Sequence, residues 1–250
     1  MLREAQASAF AATVLRFATA AAGVKCNRFA WLDSLPTSWR IAKVKHLTLS
    51  VDQGISPQCE SRPPDDGEWG VLKVGCVNTG DFNAMESKAL PSDIMPIEHI
   101  TLLKGDVLIS RANTKNLVGR AAMADKDYPR LMLSDKHYRL RLDESECLPQ
   151  YLVFVLTHSA VRVHIEERAT GASASMLNID RRTIMDLEIP LPPVELQDEI
   201  VREVQADREA LARLITHTQE EIALLKELRA ATIADAVLGR VDVRSLNRKQ

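Results

Sequence analysis

Residues Ile189 to Gln197 read IPLPPVELQ, and the chain beyond them holds neither proline nor glycine until Gly239. Pro190, Pro192 and Pro193 remove backbone donors and fix φ, so neither a strand ladder nor a helix interior continues through them. From Val194 to about Leu238 the composition turns to Glu, Ala, Leu, Arg and Ile, and Gly239 stands where a C-terminal cap belongs. The pattern predicts one long helix, and at 1.5 Å per residue it spans ~68 Å, longer than a typical globular domain is wide.

Within that helix Val204, Leu211, Thr218 and Leu225 recur every seven residues, flanked by Ile200, Leu214, Ile215, Ile222 and Leu228. This is a coiled-coil seam, with Asp207 and Glu221 interrupting its second apolar row. A helix lying on its own domain would need that domain to cover a very long stripe. A second copy of the same helix is the simpler partner, and polar positions such as Asp207 and Thr218 fix register.

Upstream the pattern changes every few residues, with Gly, Pro and Asp-Gly punctuation between short apolar runs. Strands are predicted at Gly70 to Val77, Asp106 to Ser110, Gly119 to Ala124, Tyr138 to Leu142 and Asp186 to Leu191. A helix is predicted at Pro149 to Glu167, where Leu152, Val155, Leu156, Ser159, Val163 and Glu166 follow helical spacing and proline suits the start. The expected fold class is α+β: a mixed, strand-rich globular domain over 31–193, a long coiled-coil helix over 194–238 and a polar tail over 239–250. Residues 1–30 form an alanine-rich helical extension. Arg16 breaks the apolar run that a secretory signal needs, which leaves a short helix packed on the domain or a translation start placed too far upstream.

Hydrophobic residues make up 46% of the 250, enough for an ordinary core. The net charge is −2, so global charge argues for no nucleic-acid partner, and any such case rests on local charge. Through Pro193 there are 23 basic and 23 acidic residues, yet Lys104 to Arg141 holds nine basic against four acidic. Cys26, Cys59, Cys76 and Cys147 are scattered without a C-x-x-C pair, which signals neither zinc nor a disulfide framework and fits a reducing cytoplasm. No stretch approaches the ~20 apolar residues of a membrane-spanning helix.

The segment LISRANTKNLVGRAA, Leu108 to Ala122, carries the most chemical information. An apolar strand ends in Ser110 and Arg111 and delivers Asn113, Thr114, Lys115, Asn116 and Arg120 with no acidic residue among them. Arginine matches the guanine O6 and N7 acceptors, asparagine matches adenine N6 and N7, and lysine meets phosphate. A solvated hairpin of the same composition is the plainer reading. Thr170 to Ile179, TGASASMLNI, follows the predicted helix with Ser173, Ser175 and Asn178, small polar groups able to approach phosphates. Val71 to Phe82, VLKVGCVNTGDF, adds Lys73 and Asn78 to an apolar strand and turn.

In order and wording these segments resemble the target-recognition domains of type I restriction-modification specificity subunits. The resemblance runs from LPTSWRIAKVKHL (Leu35 to Leu47) through GISP (Gly54 to Pro57), VLKVGCVNTGDF, GDVLISRANTKNLVG (Gly105 to Gly119), SDKHYRLRL (Ser134 to Leu142) and TGASASMLNI to IPLPPVELQDEIV and its long helix. Such a subunit is non-catalytic. It has two recognition domains, each reading half of a split double-stranded DNA site, separated by two antiparallel helices. This chain has one of each. The resemblance therefore implies a half-subunit that homodimerises through Val194 to Leu238 and reads a symmetric bipartite site. It implies as partners a methyltransferase subunit, which would carry S-adenosylmethionine, and a restriction subunit that translocates DNA; this chain itself needs no cofactor or metal. The family has no fixed base-contacting motif, so the assignment of Arg111, Asn113, Lys115 or Asn178 to bases comes from their chemistry.

Two other classes compete. Pro64-Asp65 followed by Glu86, Ser87 and Lys88 matches the loose PD…(D/E)xK nuclease pattern of two metal-binding carboxylates and a lysine, although its context is turn-rich. A coiled-coil adaptor binding protein would show no salt-sensitive DNA affinity. A methyltransferase is disfavoured, since no glycine-rich strand-to-helix turn and no Asn-Pro-Pro-aromatic loop occurs. His137 beside Asp135 reads as a surface histidine in a strand, with no nucleophile at hand.

Overall fold

A computed structural model describes residues 2–19, 23–25, 34–173 and 176–240. It divides into two units, Met1–Val204 and Gln205–Gln250. The helices are α1 (Leu2–Thr19), α2 (Pro149–Thr157), α3 (Ser159–Arg168), α4 (Arg181–Met185) and α5 (Val194–Val237).

The first unit is built on two four-stranded sheets. One is antiparallel, in the order Ala121–Met123, Val107–Ser110, His137–Leu142, Thr48–Gln53. The other runs Ser87–Ala89, Gly70–Leu72, Tyr128–Met132, Thr101–Leu102, with Gly70–Leu72 parallel to Tyr128–Met132. Val107–Ser110 is buried throughout, with Val107 and Ile109 in one core and Leu108 in the other, as strand alternation requires. A buried ion network also spans the two sheets. Arg139 pairs with Asp52 at 2.8 Å and Asp106 at 3.7 Å and donates to the His99 carbonyl at 3.2 Å, while Arg141 Nε donates to Asp106 at 2.8 Å.

The larger core lies under the helices. Phe10, Val14 and Ala18 of α1 are buried in it, with the Phe10 ring 6.0 Å from both Tyr151 and Phe154. Burial of a side chain the size of Phe10 stabilises by roughly 1.5–3 kcal/mol. α1 is thus part of the domain's packing, and Arg16 on it pairs with Glu203 of α5.

The predicted helix at Pro149 to Glu167 is two helices. His158 has extended backbone (φ −60°, ψ 138°), and its ring accepts from the Ala160 N–H at 3.3 Å, capping α3. Helical spacing persists across the break because both helices turn an apolar side to one core. The predicted strand Gly70 to Val77 likewise stops at Leu72 and tightens into a 3-10 turn over Val74–Val77.

The proline run does what its chemistry dictates. Among the described residues Glu188–Leu191 pairs only with Arg40–Lys43, so Pro190 lies in a two-stranded ribbon where a missing donor is tolerated. α5 then starts at Val194. Its first turns belong to the globular core: Gln197, Ile200, Val201 and Val204 are buried. In the second unit the helix ends in a Schellman motif, Gly239 at φ +69° donating to Ala236 and Arg240 to Asp235.

Candidate nucleic-acid interface

Segments far apart in sequence meet where Val107–Ser110 leaves its sheet. Arg111 N–H donates to the Lys136 carbonyl at 2.7 Å, and the Arg111 carbonyl accepts from Ile179 N–H at 3.0 Å. The next two residues, Ala112 and Asn113, pair with Asn178 and Leu177, so the hairpin Thr170–Ser173/Met176–Asn178 lies directly beside the Arg111 segment. Asn113 Nδ2 donates to Asn78 Oδ1 at 3.1 Å, which adds the Val71 to Phe82 segment. The Asp135 carbonyl accepts from Gln53 Nε2 at 2.9 Å and Arg111 Nη1 at 3.3 Å, and Ser56 donates to the Asp135 carboxylate. The GISP and SDKHYRLRL segments therefore share the same surface.

The structure separates the sequence-predicted residues by exposure. Thr114, Lys115 and Asn116 are exposed in a turn closed by Leu117 and Val118 N–H groups on the Thr114 carbonyl. Ser110 and Asn113 are buried: Asn113 Nδ2 also reaches Ser110 Oγ at 3.3 Å, and Asn113 Oδ1 accepts from Thr114 N–H at 2.9 Å. In this conformation these two shape the turn and are not presented to a ligand, a departure from the expectation of base contact. Arg111, Arg120, Lys73, Asn78 and Asn178 are half-buried, with Arg120 Nε on the Asn116 carbonyl at 3.3 Å. Ser173 is exposed and opposite Met176, whereas Ser175, like Cys26, lies outside the described residues.

Gly119 lets the turn sit close on α3. Its φ is +71°, and an added Cβ would stand 2.5 Å from Ile165, 3.2 Å from Arg162 and 3.4 Å from Ile179.

His137 is buried, not at the surface. Its Nδ1 lies 2.9 Å from Ser134 Oγ and its Nε2 3.4 Å from Cys76 Sγ. Burial pushes its pKa down to about 4 and pushes the Cys76 thiol up, so the pair is neutral and unsuited to nucleophilic chemistry. Sequence reading named Asp135 only as a neighbour of His137 and gave Lys136 no role, yet both touch the Arg111 segment. Their tandem opposite charges at the turn between two strands were the available signal.

The nuclease reading finds no support. Asp65 is held by Arg62 at 3.1 Å, and the Glu86 carboxylate lies over Gly75, where an added Cβ would meet it at 2.7 Å. Among the described residues, no group of three or more His, Cys, Asp or Glu could hold a metal ion. The second unit carries exposed apolar side chains on its helix, among them Leu214, Ile222, Leu225 and Leu228 (47–63% accessible). Leu211 and Ile215 are half-buried and Thr218 is exposed. Ile200 and Val204, expected in the seam, are instead buried in the first unit's own core.

No model of a known protein family matches the chain. It is 29% identical over 172 residues to the EcoEI type I restriction enzyme specificity subunit of Escherichia coli, an alignment covering 68% of this chain and 29% of that protein. It is 25% identical over 209 residues to the EcoKI specificity subunit of Escherichia coli, covering 76% of this chain and 45% of the relative. In fold it matches the HsdS subunit of Thermoanaerobacter tengcongensis with a TM-score of 0.56 at 24% identity, over 94% of this chain and 53% of that one. The chain thus spans about half the length, or less, of the proteins it matches. In sequence it is similar to the specificity subunits of type I restriction enzymes, and it shares their fold.

Proposed function

We propose that this chain is a non-catalytic DNA-recognition subunit of a type I restriction-modification complex, whose globular unit reads one half-site of a bipartite duplex. The convergence of five separate segments around Arg111 carries this reading. Leu108 to Ala122 and Thr170 to Ile179, adjacent there, hold three basic side chains and no acidic one. Thr114, Lys115 and Asn116 face solvent at its edge, Arg111 precedes them in the chain, and Asn178 pairs with Ala112 between the two. Lysine there meets phosphates, and arginine and asparagine read base edges in the major groove.

The exposed apolar row on α5 supports homodimerisation, since a monomer rarely leaves such a stripe to water. A second copy contributing the same helix supplies the second reading domain, and the paired helices set the distance between half-sites. Chemistry comes from partners: a methyltransferase subunit holding S-adenosylmethionine, and a translocating restriction subunit for cleavage. Such a complex works on DNA in the cytoplasm.

Selection of bound duplexes from a random pool, at moderate salt with and without the methyltransferase subunit, tests this. Two inverted half-sites at fixed separation are expected. A folded protein that enriches nothing under either condition would transfer the reading to a protein-binding adaptor.

A further inference from the structure

Two polar side chains from different strands share one backbone acceptor at the edge of the reading surface. Gln53 ends the strand Thr48–Gln53 and Arg111 follows Val107–Ser110, the two strands that flank His137–Leu142 in the antiparallel sheet. Both residues stand at the same end of that sheet, where Gln53 is opposite Tyr138 and Ser110 opposite His137. The turn entering His137–Leu142 lies between them, and its Asp135 carbonyl accepts from Gln53 Nε2 at 2.9 Å and from Arg111 Nη1 at 3.3 Å.

The frame around this acceptor is tight. Gly54 lays its backbone on the turn: an added Cβ would stand 1.7 Å from the Leu133 carbonyl oxygen, so any side chain there would push the two segments apart. Gly54 N–H donates to the Ser134 carbonyl and Ile55 N–H to the Leu133 carbonyl, each at 3.3 Å. Ser56 donates to the Asp135 carboxylate, and Lys136 Nζ pairs with that carboxylate at 3.1 Å. The acidic group of the turn therefore carries its own counter-ion, which limits its repulsion of DNA phosphates.

What the two side chains leave open is the chemistry of base edges. A carbonyl only accepts, so it takes one N–H of the Gln53 amide and fixes which end of the group meets the turn. Oε1 and the second N–H stay free, on a residue exposed to solvent. Among the described residues neither Gln53 nor Arg111 makes another side-chain hydrogen bond. One acceptor and one donor on a planar amide match adenine N6 and N7, as the arginine fork matches guanine O6 and N7. A phosphate, which only accepts, would use the donor and waste the acceptor. Both heads lie one hydrogen bond from the same oxygen, so the bases they address are separated by at most about two steps of ~3.4 Å.

We propose that Gln53 is a second base-reading residue of this surface, taking an adenine edge close to the base addressed by Arg111, with the Asp135 turn as the frame that sets both. The proposal rests on the DNA-recognition reading and adds to it a base edge and a spacing. Gln53 touches the DNA, whereas Ser56 is a positioning residue that acts through Asp135.

The test is duplex selection from a random pool, with and without the methyltransferase subunit, using the full-length chain and its Gln53→Ala, Arg111→Ala, Ser56→Ala and Ser56→Thr variants. Gln53 and Ser56 are exposed, and a melting temperature for each variant checks that it folds. Gln53→Ala should relax one adenine position per half-site, within about two steps of the position that Arg111→Ala relaxes. It should weaken binding of the selected duplex roughly tenfold and leave mixed-sequence binding and its salt dependence unchanged. Ser56→Ala should broaden both positions together, and Ser56→Thr, which keeps the hydroxyl, should preserve them.

A wild-type chain that enriches a site which Gln53→Ala selects unchanged overturns the proposal and leaves DNA recognition standing. An equal loss on every sequence does the same, because it marks a contact to the DNA backbone. A relaxed position lying farther from that of Arg111, an Arg111→Ala that relaxes none, or a Ser56→Ala that broadens neither overturns the shared frame. A wild-type chain that enriches nothing under either condition overturns the DNA reading and this proposal with it.

Discussion

Gln197 is the polar side chain on which the start of α5 depends. It is fully buried, and its Oε1 accepts from Leu148 N–H at 2.8 Å while its Nε2 donates to the Glu146 and Pro192 carbonyls, each at 2.9 Å. The Leu148 N–H stands at the N-cap position of α2, where no side chain of Leu148 itself caps the helix. Gln197→Ala removes three hydrogen bonds worth about 1 kcal/mol each and strands buried backbone groups at about 1–3 kcal/mol apiece where water does not enter. With partial hydration the net loss should be roughly 3–5 kcal/mol, a large share of the 5–15 kcal/mol typical of a domain. Urea unfolding followed by tryptophan emission measures it, since buried Trp39 lines a cavity with Glu146, Pro192 and Pro193 beside this junction. Gln197→Glu separates hydrogen bonding from volume. It keeps the size and the acceptor but turns a carboxylate toward two carbonyls, so it should be destabilised at neutral pH and recover as acid protonates it. A loss below about 1 kcal/mol for Gln197→Ala, or a pH-independent loss for Gln197→Glu, would show that apolar packing alone holds the helix start.

Acid should weaken the fold through His137. Its folded pKa of about 4 lies below the ordinary 6.5, so between those values the unfolded chain binds a proton that the folded chain refuses. Stability is full above pH 6.5 and falls by roughly 3 kcal/mol by pH 4. His137→Gln should flatten that part of the urea-midpoint profile, and an unaltered profile would remove His137 as its source. Asp106→Ala strips Arg139 and Arg141 of a shared buried partner and should cost about 3–5 kcal/mol in chemical denaturation; a loss under 1 kcal/mol would mean that Asp52 alone suffices. Arg111→Ala should weaken a selected site by ~1–3 kcal/mol and relax preference at one base position. Unchanged site preference would take Arg111 out of base reading. Leu214→Pro should break α5 and with it the dimer, and an unaltered mass by light scattering would count against helix-mediated association.

The elements written in local chemistry were legible from the sequence. The proline run and the absence of Pro and Gly after it give α5 to within a residue of its observed end, and Gly239 caps it as expected. Strands such as Val107–Ser110 and Glu188–Leu191 announced themselves by apolar runs between turn residues. The break at His158 was hidden, because the apolar spacing of α2 and α3 runs on through it and the cap that makes it belongs to one side chain.

Local sequence also named the polar candidates of the interface without sorting them. Ser110 and Thr114 are four residues apart and both offer a hydroxyl, yet one is buried and the other faces solvent. Burial depends on what the rest of the chain brings against a residue, and here that is the strand Met176–Asn178 and the turn at Asn78. The same holds for Ile200 and Val204, whose heptad spacing suits a partner helix but whose position beside the core consigns them to it. Arg162 shows the limit most sharply: in sequence it is one charge on a helix, and only tertiary packing beneath Gly119 makes it a buried cation short of acceptors. Sequence fixes the periodicity and chemistry of each element through forces acting over a few residues, whereas exposure, charge pairing and the meeting of distant loops arise only when those elements share one packed interior.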